Sequence, residues 1–156
     1  MAQVYESVTR RGPLPPMFFL GALLLEVALH FGLRVGPLIT SPWSWLGGIP
    51  ILIGLVMMVV GDRQFKRAET AISPFDQPSA LVRDGVFRVS RNPMYLGMVL
   101  TLVGEAVALG TPAPMLVPWI FAWLISIRFI RMEEAVLSDV FGAEYEDYRG
   151  RVRRWF

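Results

Sequence analysis

Gly85-Val-Phe-Arg-Val-Ser-Arg91-Asn92-Pro93-Met94-Tyr95-Leu96-Gly97 leads without a break into an apolar stretch that ends at Gly110. Thr111-Pro-Ala-Pro114 then turns the chain, and a second apolar stretch runs to Ile130. Polar sequence resumes with Glu133-Glu134 and Phe141-Gly142-Ala-Glu-Tyr145-Glu-Asp-Tyr148. Asn92 suits a helix cap, and Pro93 can open that helix because proline in the first helical position forfeits no hydrogen bond. Folded as a hairpin, the two apolar stretches return both polar motifs to one side of a membrane. Two distant segments thereby form one candidate site.

The rest of the chain supports a membrane setting. Its 156 residues are one domain in length. Hydrophobic residues make up 54%, and the mean hydropathy is +0.48, too apolar for an ordinary soluble domain. Four spans are predicted, at about 17–38, 43–61, 93–110 and 114–130. Glu26, His30 and Arg34 interrupt the first, and Glu105 is the one charge in the third. Arg10-Arg11 before an apolar run has the look of a secretory signal. With no small-residue cleavage site after it and Pro13, Pro15 and Pro16 crowding its start, a retained span is expected. The expected fold is all-α and integral to the membrane: one domain, four transmembrane helices and a C-terminal cytoplasmic amphipathic helix.

The net charge of +2 says less than its distribution. Arginines gather before span one, between spans two and three, and at or beyond the end of span four, whereas Arg34 alone falls on the other side. The positive-inside rule then places both termini and the long middle loop in the cytoplasm. Topology accounts for the arginines and leaves no basic stripe for nucleic acid. Lys66 is the only lysine among 15 Lys and Arg residues, which points to a prokaryotic source and its inner membrane. The chain lacks cysteine and has one histidine, which argues against metal catalysis, thiolate chemistry and histidine-based acid–base work.

Between the spans, the loop from Thr70 to Val89 is too long for a plain connector, and its Leu81, Val82, Val86 and Phe87 are expected to pack against something. Gly12-Pro-Leu-Pro-Pro16 is expected to resist helix until Met17. A further helix is predicted from Glu133, with Leu137, Phe141, Tyr145 and Tyr148 as its packing stripe and Gly142 marking a close approach or a bend. Glu133 and Glu134 stand about 100° apart on that helix, so only one is expected to point inward. Glu26 and His30, four apart, are placed to touch. The tail from Arg149 to Phe156 mixes cations with aromatics, as an anchor on anionic lipid would.

For a small membrane enzyme with these residues, chemistry whose reactive group arrives on a cofactor remains open. Methyl transfer from S-adenosylmethionine fits. The sulfonium is already a good leaving group, so the protein has mainly to align the reactants and exclude water. A glutamate can accept hydrogen bonds from ribose hydroxyls, and an arginine can pair with a carboxylate.

The run Gly85-x-Phe87-x-x-x-Arg91-Asn92-Pro93-x-Tyr95-x-Gly97, then Glu133-Glu134, then Phe141-Gly142-x-x-Tyr145-x-x-Tyr148 resembles the isoprenylcysteine carboxyl methyltransferase family. That family belongs with the phospholipid methyltransferases among integral-membrane enzymes that use S-adenosylmethionine and release S-adenosylhomocysteine. The resemblance covers about Leu81 to Val152. It implies a cofactor region over 79–97 and 128–148, with Leu81, Val82, Phe87, Asn92, Pro93, Met94, Tyr95 and Glu133 binding the cofactor. It also implies a lipophilic acceptor, such as an isoprenoid or isoprenylcysteine-like carboxylate, a lipid amine or a thiol. Two departures bear on catalysis. Asn92 stands where many members have histidine and cannot titrate. Phe129 stands where eukaryotic prenylcysteine enzymes have arginine, leaving Arg128 or Arg131 to meet a substrate carboxylate or phosphate. Two other readings stay open: an NADPH-dependent enzyme like the sterol reductases, which the Glu133-Glu134 pair disfavours at a 2′-phosphate, and a non-catalytic membrane adaptor.

Overall fold

A computed structural model describes residues 13–33, 35–70 and 78–156. Arg10, Arg11 and Arg34 of the charge pattern, and positions 71–77 of the middle loop, lie outside the described residues. Every regular element among those described is helical: α1 (Pro15–Gly32), α2 (Gly48–Arg67), α3 (Pro93–Leu109), α4 (Val117–Ile125), α5 (Arg131–Phe141) and α6 (Ala143–Arg151). Short 3-10 turns cover Trp43–Gly47, Gly85–Arg88 and Pro114–Leu116.

Three helical stretches are long and apolar enough to cross a membrane: Pro15–Gly32, Trp43–Arg67 and Pro114–Phe141. The predicted third span, α3, is apolar but has 17 residues. At 1.5 Å per residue it extends about 26 Å, somewhat less than a bilayer's hydrocarbon core. It is the central helix, packed against α1, α2 and α4, with Leu96, Met98, Leu102 and Ala106 buried. Leu102, Ile125 and Ile130 are fully buried where α3 meets the last rod, and Phe18 of α1 stacks edge-on against Phe129. Leu20, Leu24, Leu52, Trp119, Ile120 and Trp123 are all more than half exposed, the outward apolar face that lipid requires and water penalises.

The α2–α3 contact is set by glycines. Gly47, Gly54 and Gly61 recur every seven residues and face Gly104, Gly97 and Met94. A Cβ at Gly54 would lie 2.3 Å from the Gly97 carbonyl oxygen, and one at Gly97 would lie 2.6 Å from that of Gly54. Small residues let helix backbones approach, and that close approach drives association in a bilayer, where burial of apolar surface gains little. Gly54→Ala is therefore expected to destabilise the bundle by about 1–3 kcal/mol, because a backbone obstacle cannot swing aside. Gly21→Ala, on an open face of α1 with nothing within 4 Å, should cause no loss. Unfolding by SDS in mixed micelles would compare them, and equal stability of the two variants would refute this account of the contact.

Several boundaries differ from the sequence reading. α1 starts at Pro15 rather than Met17, since Pro15 and Pro16 occupy the first turn, whose N–H groups lack helical partners anyway. It ends at Gly32, short of Leu38, because the Leu38 and Ile39 amides donate instead to the Gly110 carbonyl, at 2.7 and 3.0 Å. Gly110 ends α3 at φ 72°, where a side chain would collide with the Ile39 carbonyl. No separate helix begins at Glu133. α4 passes through a π-helical turn at Ser126–Ile130 straight into α5, with no breaker before Gly142. The break falls at Gly142, at φ 50°, as the predicted bend. Beyond it Tyr145 and Tyr148 are buried while Glu144, Glu146 and Asp147 are exposed. The Glu26–His30 contact is replaced. His30 Nδ1 sits 3.1 Å from Thr111 Oγ1, and the wholly buried Glu26 faces Glu105 of α3.

Candidate active site

The two polar motifs meet where α3 begins and the Pro114–Phe141 rod ends. Tyr95, on the first turn of α3, is buried, and its hydroxyl donates to Glu133 Oε1 at 2.5 Å. Beside this pair lies a cavity of about 300 Å³. Asn92, Pro93, Met94 and Met98 line it from α3 and its cap, and Phe65 and Phe87 line it from the middle-loop side. Arg91 and the segment Leu14–Pro16 complete the wall.

Phe87 is held from three directions. Its ring meets Phe65 edge-on at 5.2 Å, and its carbonyl accepts the Tyr148 hydroxyl at 2.7 Å. Gln64 fixes the turn just before it, donating to the Asp84 carbonyl at 2.8 Å and accepting the Val86 amide. Gly85, at φ 57°, is required there because a Cβ would strike the Gln64 amide. Burial pushes the Tyr148 phenol well above its usual range, so this tie is a neutral hydroxyl at any working pH.

The C-terminal tail folds back onto the Asn92 cap, while Arg153 and Phe156 stay exposed. Asn92 makes no side-chain cap bond; its Nδ2 donates to the Arg154 carbonyl at 3.1 Å, and Ser90 Oγ donates to the same oxygen at 3.0 Å. The Arg91 amide donates to the Arg153 carbonyl, and Trp155 packs on the core. Arg154 also donates to both oxygens of Glu134, from Nε at 3.0 Å and Nη2 at 2.5 Å, and Arg91 Nη2 reaches Glu134 Oε1 at 2.9 Å. Those bonds to Glu134 raise the Arg154 guanidinium above its already high range. The expectation that only one glutamate points inward is thus corrected. Glu133 turns to Tyr95 and Glu134 to the two arginines, because the tail wraps the second face of α5.

Of the residues expected at the site, Phe87, Asn92, Pro93, Met94, Tyr95 and Glu133 come together around the cavity. Leu81 and Val82 are half-buried and are not in its lining. Arg128 and Arg131 are exposed, likewise outside it. Arg91, Phe65, Met98 and the start of α1 line the cavity without having been singled out. Arg91 adjoins Asn92 in the motif and was available to sequence reasoning; nothing in the α2 sequence marks Phe65 as more than an interfacial aromatic. Among the described residues no three acidic or histidine side chains converge to hold a metal ion.

Comparison with known proteins gives this geometry a context. The family model described as phospholipid methyltransferase matches residues 43–144, which include the α2–α3 contact, the cavity motif and the Glu133-Glu134 pair. A probable protein-S-isoprenylcysteine O-methyltransferase of Oryza sativa subsp. indica is 29% identical over 109 residues, 64% of this chain and 57% of the rice protein. Protein-S-isoprenylcysteine O-methyltransferase A of Arabidopsis thaliana is 27% identical over 154 residues, covering 93% of this chain and 73% of the plant protein. The Mus musculus protein-S-isoprenylcysteine O-methyltransferase is 33% identical over 118 residues, 70% of this chain and 40% of its own length. The chain therefore spans little more than half of the rice relative and under half of the mouse one.

Proposed function

Because the chain belongs to the phospholipid methyltransferase family, we propose that it transfers a methyl group from S-adenosylmethionine to a lipophilic acceptor at the membrane. The observation that carries this reading is the Tyr95–Glu133 pair at the wall of an otherwise largely apolar cavity. The residues suit the cofactor. Glu133 offers a carboxylate to sugar hydroxyls, and Phe65, Phe87, Met94 and Met98 offer apolar walls to a purine. When bound, the cofactor supplies an activated methyl. The chain's own part is to orient it, through Glu133 held by Tyr95, and to keep water out with the aromatic and methionine walls. Asn92, tied to the tail and unable to titrate, helps shape the site and moves no proton. Leu14 and Pro16 are exposed where α1 meets the cavity, which favours entry of the acceptor from the lipid side. Arg128 and Arg131, outside the cavity, would meet an anionic acceptor group only during that approach. The acceptor nucleophile is a carboxylate, amine or thiol on an apolar body. Isoprenylcysteine, the group in the relatives' names, offered through its carboxylate, is the first to try. Calorimetry on detergent-solubilised protein should show binding of S-adenosylhomocysteine and none of NADPH. The reverse preference would establish a reductase, and binding of neither an adaptor.

The cavity end is taken as cytoplasmic, since Arg63, Arg67, Arg83, Arg88 and Arg149 cluster there. Thr111 is buried and poorly suited to labelling, so Ser41 in the opposite turn serves better. With no native thiol to interfere, Ser79→Cys should react with a membrane-impermeant maleimide only from the cytoplasm, and Ser41→Cys only from outside. Labelling of both from one side would eliminate this topology.

A further inference from the structure

Glu26 is an acceptor without a donor. The residue is wholly buried, and neither of its carboxyl oxygens has a hydrogen-bond partner among the described residues. It faces Glu105 of α3, whose Oε2 is likewise buried without a partner. Three carboxyl oxygens thus meet between α1 and α3 with no donor supplied.

The pair is remote from the cavity. α1 and α3 both begin at the cavity end, and each glutamate lies about three turns into its helix, roughly 17 Å from that end. The buried side chains of Ala22, Met98 and Leu102 occupy the layer between. The elements packed on α1 are α3, α4 and the Pro114–Leu116 turn. α4 and the turn contain no ionisable residue. Besides Glu105, α3 has only Tyr95, at its far end and bonded to Glu133. Besides Glu26, α1 has only His30, whose Nδ1 is engaged with Thr111 Oγ1. Thr101, one turn before Glu105, donates its hydroxyl to the Gly97 carbonyl. No arginine or lysine stands on any of these elements.

Two carboxylates side by side in an apolar bundle repel each other and have both lost their water. A protonated carboxyl is itself a donor, so a single proton removes one charge and makes the missing hydrogen bond without needing space.

We propose that Glu26 and Glu105 form a proton-binding site inside the bundle, the carboxyl O–H of one donating to an oxygen of the other, and that this bond fastens α1 to α3. The site stands apart from the methyl-transfer reading. Because α1 also carries Leu14, Pro15 and Pro16 into the cavity wall, what seats this helix seats that part of the wall.

Infrared spectroscopy of wild type and of Glu26→Gln/Glu105→Gln, at neutral pH in a detergent free of ester groups, reads the proton directly. The difference between the two spectra should contain the carbonyl band of an undissociated carboxylic acid, displaced on transfer to heavy water. Carboxylate bands alone would overturn the site. The fastening is read from unfolding by SDS in mixed micelles across a range of pH around neutrality. Unfolding frees the pair to release the held proton, so the unfolded state binds fewer protons and wild type should lose stability as pH rises. Its folding constant relative to the variant should fall by up to about tenfold per pH unit. Glu133 is common to both proteins and cancels in that ratio. An acid band accompanied by a ratio constant with pH would overturn the role in holding α1. Glu26→Met/Glu105→Met, apolar throughout, takes the place of the glutamine variant in both comparisons should the amides disturb the fold.

Discussion

Glu134→Ala is expected to destabilise the protein by about 3–5 kcal/mol, the scale for removing one partner of a buried ion pair. Glu134 is about nine-tenths buried, and it compensates Arg91, which is equally buried, as well as the partly exposed Arg154. Deleting it leaves two guanidinium groups side by side with no carboxylate between them, near Tyr145, whose hydroxyl is buried without a partner. Burial pushes that phenol's ionisation up, so Tyr145 offers no replacement anion. Glu134→Gln should cost less, since one amide oxygen can still accept from a guanidinium. Arg154→Ala should cost less again, because Arg154 is 35% exposed and Glu134 would keep Arg91. Unfolding by SDS in mixed micelles would rank the three, and limited proteolysis would report whether the tail after Val152 detaches. A Glu134→Ala loss below about 1 kcal/mol, the range of an exposed pair, would show that the three-way cluster holds nothing in place.

The hairpin was legible because its signals are local and repeated. Asn92-Pro93, the uncharged turn at Thr111–Pro114 and two apolar stretches each point to the same geometry, and the structure brings Tyr95 and Glu133 into contact as that geometry requires. Gly142 was legible as a bend for the same reason. The glycine register of α2 against α3 was not, since a seven-residue recurrence in an apolar helix gains meaning only when its partner helix is known. The fold-back of the tail was not legible, because composition identifies only what Arg154 and Trp155 would do on an open surface. It does not reveal that the Ser90–Asn92 backbone and Glu134 lie within reach to capture them. Glu134 illustrates the general difficulty. Helix periodicity correctly sets it on a different face from Glu133, but a second buried face exists only because a chain segment distant in sequence covers it.

Glu133→Gln is the substitution that separates binding from folding. Glutamine keeps an oxygen to accept the Tyr95 hydroxyl, so the Tyr95 tie and the α3–α5 contact should survive. What disappears is the charge, and with it the strength of any hydrogen bond donated by a ligand to the second carboxylate oxygen. S-adenosylhomocysteine affinity should fall by about 1–3 kcal/mol, the range for hydrogen bonds to charged groups, with little change in unfolding midpoint. Tyr95→Phe should behave differently. It removes the group that fixes the Glu133 rotamer and spares the charge, so its effect on affinity should be smaller and its effect on stability larger. If Tyr95 acts through Glu133, the two losses will not add: once Glu133 is glutamine, Tyr95→Phe should cost affinity less than it does alone, with a coupling of about 0.5 kcal/mol or more. Calorimetry on the wild type, both single variants and the double variant completes the cycle. Strict additivity would make Tyr95 an independent contact, and unaltered affinity in Glu133→Gln would remove Glu133 from the cofactor site whatever the fate of the fold.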